Sequence, residues 1–185
     1  MSNVKRCGWC EKDDLYRAYH DNEWGRPVYE DSILFEFLVL ESFQAGLSWY
    51  TILKKRDAFR EVFDNFDYKK IALYNEDKIE LLMNDSRIIR NRLKIVATIN
   101  NAQQFIKIQQ EFGSFSKYIW SFVENKPLIN YPKELSDIAT TTEISDTLAQ
   151  ELKKRKFKFL GSTVVYAYMQ AIGMVNDHVI DCYLK

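Results

Sequence analysis

Apolar side chains recur three and four positions apart along most of this chain, the interval that lines one face of an α-helix. In "DSILFEFLVLESFQAG", Asp31 and Ser32 offer an N-cap, and Ile33, Leu34, Phe37, Leu38 and Phe43 follow at helical spacing. Gly46 then sits where a closing glycine belongs. A second helix is predicted in "LSWYTILKKRDAFREVF", a short unit beginning near Asp67, and another helix in "NEDKIELLMND", capped at Asn75. The longest candidate opens at Ser86, carries Ile89, Leu93, Val96, Asn100 and Ile108 toward one side, and closes at Gly113. A short helix is expected in "SFSKYIWSFVE", and a loop in "NKPLINYPKELSDI", broken by Pro127 and Pro132. Helix returns in "TTEISDTLAQELKKRKF", with Ile144, Leu148 and Leu152 on one face, and again in "STVVYAYMQAIG". No stretch sustains the strict alternation of a half-buried strand, so the pattern predicts an all-α protein.

Composition narrows the class. The chain has 185 residues, 46% of them hydrophobic, enough for one domain with a real core. Eleven Tyr, 12 Phe and 4 Trp leave flat surface to spare for stacking on a planar ligand. Lys plus Arg and Asp plus Glu number 26 each, so any affinity for a polyanion must come from local patches. No apolar run reaches the roughly 20 residues of a membrane span, and "MSNVKRCGWC" is polar where a signal peptide would be apolar. The expected location is the cytoplasm, where three cysteines read as thiols or metal ligands.

Two constellations carry candidate chemistry. In "KKRKFKFLGSTVV", Lys153, Lys154, Arg155, Lys156 and Lys158 precede Gly161, Ser162 and Thr163 at the opening of a helix. Unpartnered amides of a helix start suit a phosphate oxygen, and a glycine allows close approach. The competing reading is a solvated basic run before an ordinary core helix. Arg87, Arg90, Arg92 and Lys94 form a second basic cluster, and Lys54, Lys55 and Arg56 a third, each open to both readings. The second constellation joins the two ends. If the C-terminal segment is helical, His178 and Cys182 share a face and can reach one ion, with Cys7 and His20 supplying two more ligands. Cys10, in "CGWC", competes for a place in that set, and Asp21 and Asp177 are candidate acceptors for the imidazole N–H groups. Glu41 is an acid within an otherwise apolar helical run, either facing solvent or serving a site.

The blocks "RCGW", "YHDNEWG", "LESFQAGLSW" and "LKKRKFKFLGSTVVYAYMQAIGMVNDH", with Cys182 behind them, resemble the DNA-3-methyladenine glycosylase I family of helix–hairpin–helix DNA glycosylases. The resemblance runs in order from Cys7 to Cys182, nearly the whole chain. It implies a single glycosylase domain over residues 1–185, all-helical and two-lobed, with the lesion pocket between the lobes. It implies a structural zinc held by Cys7, His20, His178 and Cys182, joining the terminal segments and leaving Cys10 out. It makes Glu41 the catalytic, base-reading carboxylate, with Tyr19 and Trp49 forming the pocket and Tyr16 and Trp24 beside it, while Trp9 and Trp120 are left to the core. Lys158, Gly161, Ser162 and Thr163 would hold the DNA backbone. The implied partner is double-stranded DNA containing alkylated adenine, bound by a monomer.

Two departures shape the expected chemistry. Asn176 stands where many superfamily members place an aspartate, and Thr163 where the bifunctional members carry a nucleophilic lysine. Hydrolytic release of 3-methyladenine without strand cleavage is therefore expected. Two rival functions share parts of this constellation: a zinc-stapled DNA-binding module without catalysis, and a zinc hydrolase with Glu41 as general base.

Overall fold

The computed structural model describes residues 4–185; the first three residues of the polar opening lie outside the described residues. Helices account for most of the chain: α1 (Asp14–Asn22), α2 (Asp31–Gln44), α3 (Trp49–Val62), α4 (Tyr68–Ile71), α5 (Glu76–Asn84), α6 (Arg92–Phe112), α7 (Phe115–Trp120), α8 (Glu143–Lys154) and α9 (Ser162–Ala171). Most begin on the polar residue that local chemistry favours. Asp13, Ser48, Asp67, Asn75, Asn91, Ser114 and Thr142 each accept from a backbone N–H of the first turn.

The expected all-α pattern holds except for one small element. β1 (Leu128–Ile129) pairs in parallel with β2 (Val175–Asn176), inside a segment whose prolines predict only loop. Two residues are too few to show an alternation, so this pairing had no signal of its own.

α2 is the centre of the molecule. It is buried from Leu34 to Phe43 on all but one position, rather than along the single stripe its spacing predicts, and Ile33 is exposed. α3, α6, α7 and α9 pack around it. Asp31 does not cap its own helix: its carboxylate accepts from the N–H groups of Phe115 and Ser116, and so starts α7.

α6 differs from expectation in two ways. It starts at Arg92 rather than Ser86, because Asp85 draws Arg87 into a turn and Asn91 supplies the cap. Its predicted stripe is also turned outward in part: Leu93 and Val96 are exposed, whereas Ile108 is buried as expected, together with Ile95, Ala102 and Phe105. The expected closure at Gly113 is present, with a left-handed φ of 88°.

α8 and α9 pack against each other, and the turn that connects them is tied to α6. Asn101 is buried there; its side chain accepts from Lys158 N at 2.8 Å and donates to Lys158 O at 3.0 Å. Asn100 donates to Lys156 O. These bonds hold a turn in which Lys156 and Phe159 both carry positive φ. The end of α9 is fastened to the chain after α1: Gly25 N donates to Gln170 O and Val28 N to Ile172 O, both at 3.0 Å. Gly173 closes against the Arg26 carbonyl so tightly, at a φ of 70°, that a Cβ has no room.

Candidate active site and metal centre

α1, the start of α3, α2, α9 and the segment at 135–140 line a cavity of about 340 Å³. Tyr16 and Tyr19 come from α1, Glu41 and Gln44 from α2, Trp49 from the first position of α3, and Trp24 from the turn after α1. Thr163, Tyr166, Ala167 and Gln170 project from α9 at the spacing of one helix face. All five residues expected at the pocket thus meet around one space. Trp9 belongs there too, rather than in the core: its ring meets Tyr16 edge-on at 4.8 Å and Trp24 at 5.0 Å. Tyr19 and Trp49 lie 5.3 Å apart, tilted by 45°.

Sequence reasoning missed Trp9, Gln44 and the α9 face. The period of the α9 residues was visible, but nothing in the sequence says which face of that helix meets a cavity rather than core.

Two polar atoms in this wall have no partner. Glu41 is 3% exposed, and its Oε2 is buried without a hydrogen bond. The indole Nε1 of Trp49 is in the same condition. Buried polar groups are nearly always paired, so such atoms mark a place where a ligand supplies the missing bonds. Burial alone pushes the Glu41 carboxyl up to about 8. A cationic ligand in the cavity would favour its ionised form.

Behind the α9 wall, Asp177 is buried and accepts from the Tyr166 hydroxyl, Gln170 Nε2 and Asn130 Nδ2, each at 2.7 Å. It therefore supports the pocket wall and is not the acceptor for His178. Asn176 lies in β2 and accepts from His178 N.

The second constellation closes beside Trp24. Cys7, His20, His178 and Cys182 are all buried, and their ligand atoms lie within 4.8 Å of one another. Cys7 Sγ to His178 Nδ1 is 3.6 Å, and Cys182 Sγ to His178 Nδ1 and to His20 Nε2 are both 3.5 Å. A tetrahedral ion bound at about 2.0–2.3 Å has ligand–ligand edges of roughly 3.3–3.8 Å, so these separations match. The remaining ring nitrogens are also committed. His20 Nδ1 donates to Asp21 at 2.8 Å, and His178 Nε2 to Trp24 O at 3.2 Å. Each imidazole thus turns its lone pair toward the cluster, and the four residues could hold one metal ion.

Electrostatics favour the same reading. Burial pushes the Cys7 thiol up to about 12 and His178 down to about 4. Neutral imidazoles are the ligand form, and thiolates there need a cation. Burial alone would raise Asp21, yet Arg6, through a bidentate pair, and His20 hold it down to about 2.

Cys10 stands apart, donating from Sγ to Cys7 O at 3.0 Å. Glu41 is not among the groups of the cluster. The helical condition placed on the segment carrying His178 and Cys182 is not met; a turn from Val179 O to Cys182 N brings the two together instead.

The basic clusters separate on inspection of their partners. Arg87 pairs with Glu61 and Asp85, Arg92 with Glu76 and Glu80, and Lys94 is buried against the carbonyls of Phe43 and Ala45. Arg56 is buried between Glu23 and Glu36. Those residues serve the fold. At the α8–α9 turn Arg155 pairs with Glu111 and Lys154 with Glu151, whereas Lys153, Lys156 and Lys158 are exposed and have no ion pair among the described residues. Gly161 is exposed with an ordinary φ of −72° and open space around a would-be Cβ, so nothing inside the protein demands a glycine there. Ser162 is less available than expected, its hydroxyl bonded to Asp146 and Ser145. Thr163 is exposed and lines the cavity mouth.

Comparison with known proteins agrees with this layout. The family model described as methyladenine glycosylase matches residues 9–185. DNA-3-methyladenine glycosylase 1 of Escherichia coli (strain K12) is 49% identical over 179 residues, covering 97% of this chain and 96% of that protein. A crystal structure of 3-methyladenine DNA glycosylase I superposes with a TM-score of 0.94 at 48% identity, over 97% of this chain and 98% of the other. The Staphylococcus aureus 3-methyladenine DNA glycosylase I, solved for the structural basis of 3-methyladenine recognition, gives 0.93 at 41% identity, over 96% and 95% of the two chains. The chain belongs to the methyladenine glycosylase family.

Proposed function

We propose that this protein is a monofunctional DNA glycosylase that flips N3-methyladenine out of alkylated duplex DNA and releases it by hydrolysis. The observation that carries the reading is the pair of unpartnered buried atoms, Glu41 Oε2 and Trp49 Nε1, in the wall of one aromatic cavity. A purine offers both complements: an amino group to donate to the carboxylate and ring nitrogens to accept from the indole. N3-methylation adds a positive charge, which the Glu41 carboxylate and the faces of Tyr16, Tyr19 and Trp49 favour over a neutral base. Trp9 and Trp24 complete the aromatic lining.

The same charge sets the chemistry. When the bond from C1′ to the methylated adenine breaks, its electron pair neutralises the base, so the leaving group needs no proton. Water captures the sugar cation and loses a proton. Unstacking is the remaining cost, a few kcal/mol by order of magnitude. The α8–α9 turn acts as a helix–hairpin–helix clamp: Lys158 and the start of α9 at Gly161, Ser162 and Thr163 receive the DNA backbone. No lysine stands at the hairpin's nucleophile position, which supports hydrolysis without strand cleavage.

The cluster of Cys7, His20, His178 and Cys182 would hold zinc. With four protein ligands there is no open position, so its contribution is structural: it fixes the terminal segments and, through the bond from His178 to Trp24, the back of the pocket. The protein acts as one domain of two lobes, as a monomer, in the cytoplasm.

The test is to incubate the protein with methylated duplex DNA and identify the released base by chromatography. 3-Methyladenine should appear, and borohydride should trap no protein–DNA adduct. Release of 7-methylguanine without 3-methyladenine would refute the pocket assignment, and intact bases with tight DNA binding would favour a non-catalytic binding module.

A further inference from the structure

We propose that Lys12 and Lys54, gathered over the ring of Tyr50 at the rim of the aromatic cavity, form a second phosphate site for duplex DNA. It would lie across the cavity from the α8–α9 turn. The inference rests on the glycosylase reading above and extends it to a surface that the hairpin does not reach.

Lys12 Nζ lies 3.9 Å and Lys54 Nζ 4.7 Å from the centre of the Tyr50 ring. The two come from separate elements, the turn before α1 and the body of α3, and both are exposed. Neither has a carboxylate within ion-pair range among the described residues. The acids nearby are already engaged. Asp13 accepts from the Tyr50 hydroxyl and from Tyr16 N, while Glu11 and Asp14 pair with Arg17. Two like charges on one ring repel each other, and cation–π attraction offsets only part of that. A phosphate at this site would add to the counter-charge of the Asp13 carboxylate, whose field already reaches Lys12.

The position gives this pair its meaning. Tyr50 follows Trp49 in α3, and its ring lies 5.3 Å from that of Tyr16. Trp49 and Tyr16 form one wall of the cavity, and Thr163, next to the hairpin, belongs to the other. A nucleotide entering the cavity would therefore pass between two cationic sites. Backbone held on both sides of the flipped residue resists closing of the duplex, which favours the extruded state.

The experiment measures affinity for a methylated duplex oligonucleotide by fluorescence anisotropy over a range of salt concentrations. It compares the wild type, the Lys12→Gln/Lys54→Gln double variant and Lys158→Gln. Each lost phosphate contact should lower the slope of log affinity against log salt by about 0.9, so the double variant, which loses one shared phosphate, and Lys158→Gln should each lose about 0.9. Binding of free 3-methyladenine, which needs only the cavity, should be the same in the double variant as in the wild type. A double variant with the wild-type slope overturns this inference and leaves the glycosylase reading standing. A wild type that binds no duplex overturns both.

Discussion

Glu41→Gln tests the physical core of the proposal. The substitution keeps the side chain's volume and removes its ionisation. In the folded protein burial raises the carboxyl to about 8, against an ordinary value of 4.5. That gap corresponds to about 5 kcal/mol between the two protonation states. The sign follows from linkage: below about pH 4.5 the carboxyl is protonated in both folded and unfolded chains, and it costs nothing. Between about pH 4.5 and 8 the unfolded chain ionises while the folded one does not, so stability falls by about 1.4 kcal/mol per pH unit. Above about pH 8 both forms are ionised and the loss is complete. The glutamine variant has no such dependence. Its amide adds a constant offset of about 1–3 kcal/mol if left unpaired, which moves its curve without tilting it. All other titrating groups are common to both proteins and cancel in the difference.

Urea unfolding followed by ellipticity, from about pH 4.5 to 9 with metal present, gives that difference directly. The variant should gain about 5 kcal/mol on the wild type across the range, a large share of the roughly 5–15 kcal/mol that stabilises a domain. Affinity for 3-methyladenine should fall roughly 10- to 100-fold, the worth of one hydrogen bond to a charged group. Parallel stability curves would show that Glu41 is solvated or paired, and the argument for a ligand-seeking carboxylate would fail.

Cys182→Ser should destabilise the protein by about 4 kcal/mol or more and abolish stoichiometric zinc by elemental analysis; full metal content with unchanged stability would refute the cluster. Gly173→Ala should lower the melting temperature sharply, by about 3 kcal/mol or more of stability, because its Cβ would meet the Arg26 carbonyl. Asn101→Ala should cost about 2 kcal/mol and weaken duplex binding while leaving free-base affinity alone, since it removes the two bonds that hold the Lys158 backbone.

Much of this architecture was legible in advance because capping and helical spacing are local. Asp67, Asn75 and Gly113 marked helix ends through their own backbone preferences. Faces were less legible. α2 is buried from Leu34 to Phe43 at all but one position rather than along one stripe, and Leu93 and Val96 of α6 point outward, because neighbours rather than period decide which side is core. The ligand set emerged from family blocks; spacing alone left Cys10 in contention and required a helix where a turn holds His178 and Cys182.

The sequence by itself determined most helical segments from α2 onward, though not α1, together with the rarity of histidine and cysteine at the two ends and the basic run before Gly161. Only the tertiary structure decided that Glu41 and Trp49 share a cavity with unpaired atoms. It also showed that most arginines are spent on internal ion pairs while Lys12, Lys54 and Lys158 are not. The reason is range: propensity and capping act over a few residues, whereas burial, desolvation and charge pairing depend on which distant segments the fold brings into contact.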